Sequence, residues 1–157
     1  MSDHEAQDHA GVAIHPPLLL ALCLGAGFLA RRLLPLSFVS AGASAAAGPV
    51  LTGGSLALFV WAILTMRRAG GSIPTNRPTE TIVSVGPYRY SRNPIYLSML
   101  LLQIGVGLWA NSLWFFGFAA IAAFVLAWGV VAREERYLER KLGPEYTSYR
   151  AHVRRWI

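Results

Sequence analysis

The sequence predicts an all-α integral membrane protein of about four transmembrane helices, the last two forming a tight hairpin, with a long cytoplasmic loop and C-terminal helices outside the bilayer. Three observations predict it. Of 157 residues, 54% are hydrophobic and 14% charged, well below the roughly 25% charge of soluble domains. Pro94 to Ala132 is a run of 39 residues with no charged side chain. As one helix it would be about 58 Å long, roughly twice the hydrocarbon core of a bilayer, so it has to fold back. Finally, the basic residues cluster on one side of the predicted spans, as membrane topology requires. This composition excludes a disordered chain and a coiled coil.

The chain begins with a polar tail. It carries Asp3, Glu5 and Asp8 and no Lys or Arg before Arg31, whereas a secretory signal needs a positive segment ahead of its apolar core, so the tail is expected to remain in the mature protein. The single cysteine, Cys23, lies in an apolar stretch, which excludes an intramolecular disulfide and a cysteine metal cluster. The first span is Leu18 to Ala30, only 13 residues; snorkelling of Arg31 and Arg32 lets Leu33 to Leu36 extend it. The next uncharged run, Leu33 to Met66, is poor in large side chains between Ser40 and Gly48 and apolar from Pro49 to Met66, which is read as the second span. Residues 1–48 are therefore taken as tail and first span, and 49–157 as the core of one domain. In the long run, the polar pair Asn111-Ser112 separates spans at Pro94 to Ala110 and Leu113 to Ala132. The tract of small residues from Ala41 to Gly48 would allow close helix contact.

With the N-terminus in the cytoplasm, twelve of the fourteen basic residues are cytoplasmic and only Arg31 and Arg32 lie outside. Both termini and the central loop are therefore expected to face the cytoplasm. That bias is a topological signal and is no evidence for an anionic ligand. Nothing resembles an aromatic-interleaved basic patch or a zinc spacing, so neither nucleic acid nor metal is expected as a partner. Nor does any span carry an ionisable residue near its centre, which argues against a transporter.

The loop from Arg67 to Asn93, about 27 residues, is long enough to be functional. Thr81 to Val85 is a β-like apolar stretch, Gly86-Pro87-Tyr88 reads as a turn, and Arg89-Tyr90-Ser91-Arg92 leads to Asn93-Pro94. Asn at the N-cap and Pro at the first helical position are preferred for backbone reasons alone. The cluster of Tyr88, Tyr90, Tyr96 and two arginines at one helix entrance fits either anchoring at headgroup depth or a site. After the last span no helix breaker occurs before Gly143-Pro144, so the helix should continue to Leu142 and place Glu134 and Glu135 just beyond the membrane. Those two carboxylates fit either a charge-paired solvated helix or a site. Tyr146, Tyr149, Val153 and Trp156 then recur at helical spacing, which predicts an amphipathic helix on the membrane surface or a lid over the loop.

Val85-Gly86-Pro87-Tyr88-Arg89-Tyr90-Ser91-Arg92-Asn93-Pro94-Ile95-Tyr96, a two-span hairpin, then Arg133-Glu134-Glu135-Arg136-Tyr137-Leu138 and Gly143-Pro144-Glu145-Tyr146 together resemble the isoprenylcysteine carboxyl methyltransferase and phospholipid methyltransferase superfamily, over about residues 49–157. The resemblance implies a small membrane enzyme that moves a methyl group from S-adenosylmethionine, held on the cytoplasmic side, to a hydrophobic or lipid-like acceptor; the chain's small size adds the expectation of a bacterial inner membrane. It assigns cofactor contacts to Glu80, Thr81, Ile82, Val83, Tyr88, Asn93, Pro94, Ile95, Tyr96 and Glu134. Eukaryotic members commonly have histidine where Glu80 stands. Asn93 also replaces a histidine, and an amide can hydrogen-bond but cannot titrate, which excludes an acid or base role there. Arg92 and Arg133 are candidates for orienting an anionic acceptor, because guanidinium matches a carboxylate in two-pronged geometry. Two alternatives stand beside this. One is an NADPH-dependent reductase of related fold, with Arg89 and Arg92 holding the 2′-phosphate; the other is a non-enzymatic membrane scaffold.

Overall fold

The computed structural model describes residues 15–71 and 81–157. The acidic tail residues Asp3, Glu5 and Asp8, the loop residue Arg77 and the candidate cofactor contact Glu80 lie outside the described residues. Helices dominate and no strand occurs among the described residues. Helix α1 is Pro16–Leu33, opened by prolines in its first turn and closed by Arg31 and Arg32, where cations complement the helix dipole. It starts two residues before the predicted span and stops short of Leu36. The stop has a local cause: Leu34 precedes Pro35 and is extended (φ −143°, ψ 93°), as the proline ring demands of its predecessor.

Helix α2, Ala41–Arg68, has 28 residues and is about 42 Å long. It is longer than the span predicted from Pro49, because the small-residue tract forms its first two turns and Pro49 lies inside it. The tract is small because a neighbour presses on it. A Cβ at Gly48 would run into the backbone of Trp109, and Ser44 Oγ donates to the carbonyls of Leu108 (2.9 Å) and Trp109 (3.2 Å), which a helix end otherwise leaves unpaired. The close contact is therefore made within the chain, with α3 (Pro94–Trp109). Farther along the same pair, a Cβ at Gly105 would lie 2.8 Å from the Thr52 amide nitrogen.

Gly48→Ala is accordingly expected to destabilise the protein by about 1–3 kcal/mol, the usual cost of overpacking. Gly53→Ala, where a Cβ meets nothing within 4 Å, should be neutral or slightly stabilising. Thermal unfolding in detergent checks both, and equal midpoints for the two variants would contradict this packing.

The hairpin turns where the polar pair stands. Asn111 takes a left-handed conformation (φ 47°), which asparagine tolerates better than most residues. Its side chain accepts from the Phe38 and Val39 amides, both at 3.2 Å, and donates to the Val39 carbonyl at 2.8 Å, so it also fastens the α1–α2 connection. Helix α4 (Trp114–Val125), a π-helical segment (Leu126–Val131) and α5 (Ala132–Leu142) follow as one continuous rod. Three helices, α1, α2 and this rod, are long and apolar enough to cross a membrane, and α3 is a shorter apolar helix beside α2. The protein is a multi-pass membrane protein. The charges begin at Arg133, so the span of the rod ends at Ala132 and α5 projects beyond it.

Gly143 ends α5 with φ 51°, a conformation for which glycine is the default. Helix α6, Pro144–His152, turns back, and the chain becomes extended at Val153. The expected amphipathic helix is therefore shorter than predicted and leaves out Trp156. Its aromatic stripe also points inward rather than along a membrane: Tyr146 is buried, and Tyr149 donates its hydroxyl to the Tyr88 carbonyl at 2.8 Å. It closes over the loop, the second of the two arrangements expected. Thr81–Val85 forms no strand; Val83 instead turns inward to pack with Ala62 and Tyr88.

Candidate functional site

The site lies where the start of α3, the projecting α5 and the chain's last residues meet. Pro87 and Tyr88 are buried in a single 3-10 turn, Gly86–Arg89, and the Tyr88 hydroxyl donates to the Ala62 carbonyl of α2 (3.4 Å). This turn delivers Ser91, Arg92 and Asn93 to the first turn of α3. Asn93 occupies the N-cap position but makes no capping hydrogen bond. Its amide donates instead to the Arg155 carbonyl at 3.0 Å, a destination that the N-cap rule does not reveal.

Two clasps then join α3 to α5. Tyr96 donates its hydroxyl to Glu134 Oε1 at 2.7 Å. Arg92, four residues earlier, places Nη1 2.9 Å from Glu135 Oε1. Arg155 approaches the same carboxylate from the other side, with Nε donating to Oε1 at 3.1 Å and Nη2 donating to Oε2. Glu135 is thus a buried carboxylate between two guanidiniums, with Tyr146 accepting a further bond from Arg92 at 3.3 Å. Adjacent glutamates point about 100° apart on a helix. Both reach the α3 entrance because Arg92 precedes that helix and Tyr96 lies one turn inside it.

The two carboxylates differ in electrostatics. Glu135 is neutralised by cations. Glu134 accepts from Tyr96, and among the described residues no cation forms an ion pair with it. Burial pushes the Glu134 carboxyl up to about 7; the Tyr96 hydrogen bond opposes this, and the nearby Glu135 charge adds to it. Burial likewise raises the Tyr88 hydroxyl and carries that of Tyr149 to about 12, so both remain protonated donors at neutral pH. Glu139 pairs with Arg150 of α6 rather than within its own helix, and that pair is half exposed.

Of the residues singled out in the sequence, Arg92, Asn93, Tyr96 and Glu134 come together here. Val83, Tyr88 and Ile95 form or flank a packed cluster on α2, and Pro94 is fully buried. Ile82 is half-buried, while Thr81 and Arg133 are exposed. Arg89 is exposed too and lines a separate open cavity of about 440 Å³ with Ile82, Ser84, Tyr149 and His152. Arg92 faces Glu135 while Arg89 faces that cavity, so the two arginines have different surroundings. Glu135, which the sequence leaves open between a paired helix and a site, belongs here, as does Tyr146 of the aromatic stripe; Ser91 and Arg155 carry no role in the sequence reading. The Arg92/Glu135 pairing had a signal in the four-residue offset of Arg92 and Tyr96 opposite two consecutive glutamates. Arg155 had none, because its partner lies 20 residues away along the chain.

The fold and these clasps define a multi-pass membrane protein with a carboxylate-bearing site at the end of its spans. Residues 43–145 match the phospholipid methyltransferase family, and the chain belongs to it. An uncharacterized protein of Haemophilus influenzae is 45% identical over 64 residues, 40% of this chain and 100% of that protein. The cobalt-zinc-cadmium resistance protein CzcN of Cupriavidus metallidurans is 32% identical over 75 residues, 48% of this chain and 34% of that protein. The chain thus matches about a third of the length of CzcN. No solved structure matches.

Proposed function

We propose that the protein transfers a methyl group from S-adenosylmethionine to a hydrophobic or lipid-like acceptor, at the cytoplasmic face of a bacterial inner membrane with both termini in the cytoplasm. The observation that carries this is Glu134: a carboxylate at the membrane end of a helix, oriented by Tyr96, with no cation partner among the described residues. The cofactor has an ammonium, a sulfonium and a carboxylate, and a half-buried carboxylate of this kind fits its positive end. Arg92 Nε is buried without a hydrogen-bond partner, so Arg92 keeps one donor for an anionic group although its Nη1 is engaged. Tyr96 supplies aromatic surface beside Glu134, Ile95 packs on the Val83 and Tyr88 cluster, Pro94 is buried at the start of α3, and Ile82 lines the open cavity with Arg89. Asn93, which donates to the Arg155 carbonyl of the segment after α6, shapes the entrance.

When bound, S-adenosylmethionine supplies an activated methyl group whose in-line displacement removes the sulfonium charge. The protein's part is then alignment and exclusion of water. Glu134 binds positive charge, Tyr96 fixes the carboxylate's direction, and Arg92 and Arg133 orient an anionic acceptor. An apolar acceptor reaches the site from the bilayer, where the spans end. Membranes containing the protein, incubated with methyl-labelled S-adenosylmethionine, should transfer label into the organic-extractable fraction. Label no higher than in membranes without the protein would overturn the proposal.

The pH dependence has a definite sign. The ionised form of Glu134 attracts a cation, so affinity for S-adenosylhomocysteine should rise between about pH 6 and about pH 8 and then level off. Without ligand the sign reverses. Because the folded carboxyl titrates above its ordinary value, its contribution to stability is present at low pH and is lost as pH rises to about 7. Calorimetric titration across this range checks the first trend, and an affinity independent of pH would contradict it.

A further inference from the structure

We infer that Arg155, in the extended segment after α6, is a positioning residue for the site, holding Glu135 and the α3 entrance so that Tyr96 and Glu134 meet in register. The inference rests on Glu134 and Tyr96 being cofactor contacts.

The extended segment after α6 is tied to the site through both backbone and side chain. Its backbone supplies the acceptors that the α3 entrance lacks: the Arg154 carbonyl takes the Arg92 amide at 2.9 Å, and the Arg155 carbonyl takes the Asn93 side chain at 3.0 Å and the Ser91 hydroxyl at 3.4 Å. Its side chain grips Glu135 with two nitrogens, a planar fork that fixes the direction of a carboxylate as well as its charge. Arg92 reaches Glu135 with one nitrogen only. Without Arg155, nothing among these contacts fixes the orientation of Glu135. Glu134 is its immediate neighbour on α5, and Tyr96 stands four residues beyond Arg92 on the other side of the clasp. A shift at Glu135 is therefore passed to both members of the Tyr96–Glu134 pair. The Arg155 side chain is 37% exposed, so its replacement leaves no fully buried hole.

The test is calorimetric titration of the full-length protein in detergent with S-adenosylhomocysteine, alongside thermal unfolding without ligand, for the wild type, Arg155→Ala and Arg155→Lys. Misplaced contacts should weaken binding about tenfold in Arg155→Ala, with Arg155→Lys restoring part of it because the charge returns without the fork. Wild-type affinity in Arg155→Ala would overturn the inference while leaving the function intact. Equal weakening in both variants that tracks a lowered unfolding midpoint would also overturn it, since a purely structural contact behaves that way. No binding by the wild type would instead overturn the cofactor reading on which the inference rests. If Arg155→Ala does not purify as a folded protein, Arg155→Lys decides alone: weaker binding at an unchanged midpoint supports the inference, and unchanged binding overturns it.

Discussion

Glu134→Gln is expected to weaken binding of S-adenosylhomocysteine by at least about thirtyfold, equivalent to about 2 kcal/mol. Glutamine keeps the size of the side chain and can still accept the Tyr96 hydroxyl, now 2.7 Å from Oε1, so the change isolates the charge. A carboxylate in a desolvated position interacts strongly with a cationic ligand, and removing one partner of such a pair costs far more than removing an exposed one. Tyr96→Phe should have a smaller effect in the same direction, because the charge remains and only its direction is freed. Calorimetric titration measures both. A Glu134→Gln protein that binds like the wild type would remove Glu134 from the site.

Glu135→Ala should have the largest effect on stability, about 3 kcal/mol or more of destabilisation. The change strands two guanidiniums, one of them in a side chain only 10% exposed, and an unpaired buried charge is among the costliest defects a fold can carry. The Glu139–Arg150 pair provides the control. Both of its side chains are 46% exposed, and Glu139→Ala should change stability by less than about 1 kcal/mol. Thermal unfolding in detergent compares the two; similar losses for both would contradict the contrast between a buried Arg92–Glu135 pair braced by Arg155 and a screened pair at the surface.

Much of this architecture was legible because lipid solvent imposes simple requirements. Uncharged runs mark spans, and Asn111-Ser112 marks the hairpin turn, since a polar pair has no other use at that depth. The start of α2 was not legible. Ala41 to Gly48 lacks the large side chains that signal a span, yet small residues are what the close approach of Trp109 requires, and only the fold reveals that neighbour. Thr81 to Val85 is an apolar stretch of β-forming residues, but no strand occurs among the described residues, and Val83 fills the space beside Ala62. Nor does periodicity reveal the π-helical segment Leu126–Val131, whose six residues, Gly129 among them, include no charged one.

The site was legible in its motifs and not in its wiring. Arg92, Asn93, Tyr96 and Glu134 were named from sequence, and they do meet. What Arg92 and Asn93 touch depends on Glu135 and on the segment after α6. Asn93 looked like a helix cap and is a docking point for Arg155; Arg92 looked free for an acceptor and has one nitrogen committed to Glu135. Contacts of this kind join segments 20 to 62 residues apart and leave no local pattern.

We propose that this membrane protein holds S-adenosylmethionine at Glu134. The most direct test is calorimetric titration of the detergent-purified wild-type protein with S-adenosylhomocysteine near pH 8, at which the Glu134 carboxylate is ionised. Saturable binding with one ligand per chain, sharply weakened in Glu134→Gln, is the expected result. Absence of binding to the wild type under those conditions would contradict the account.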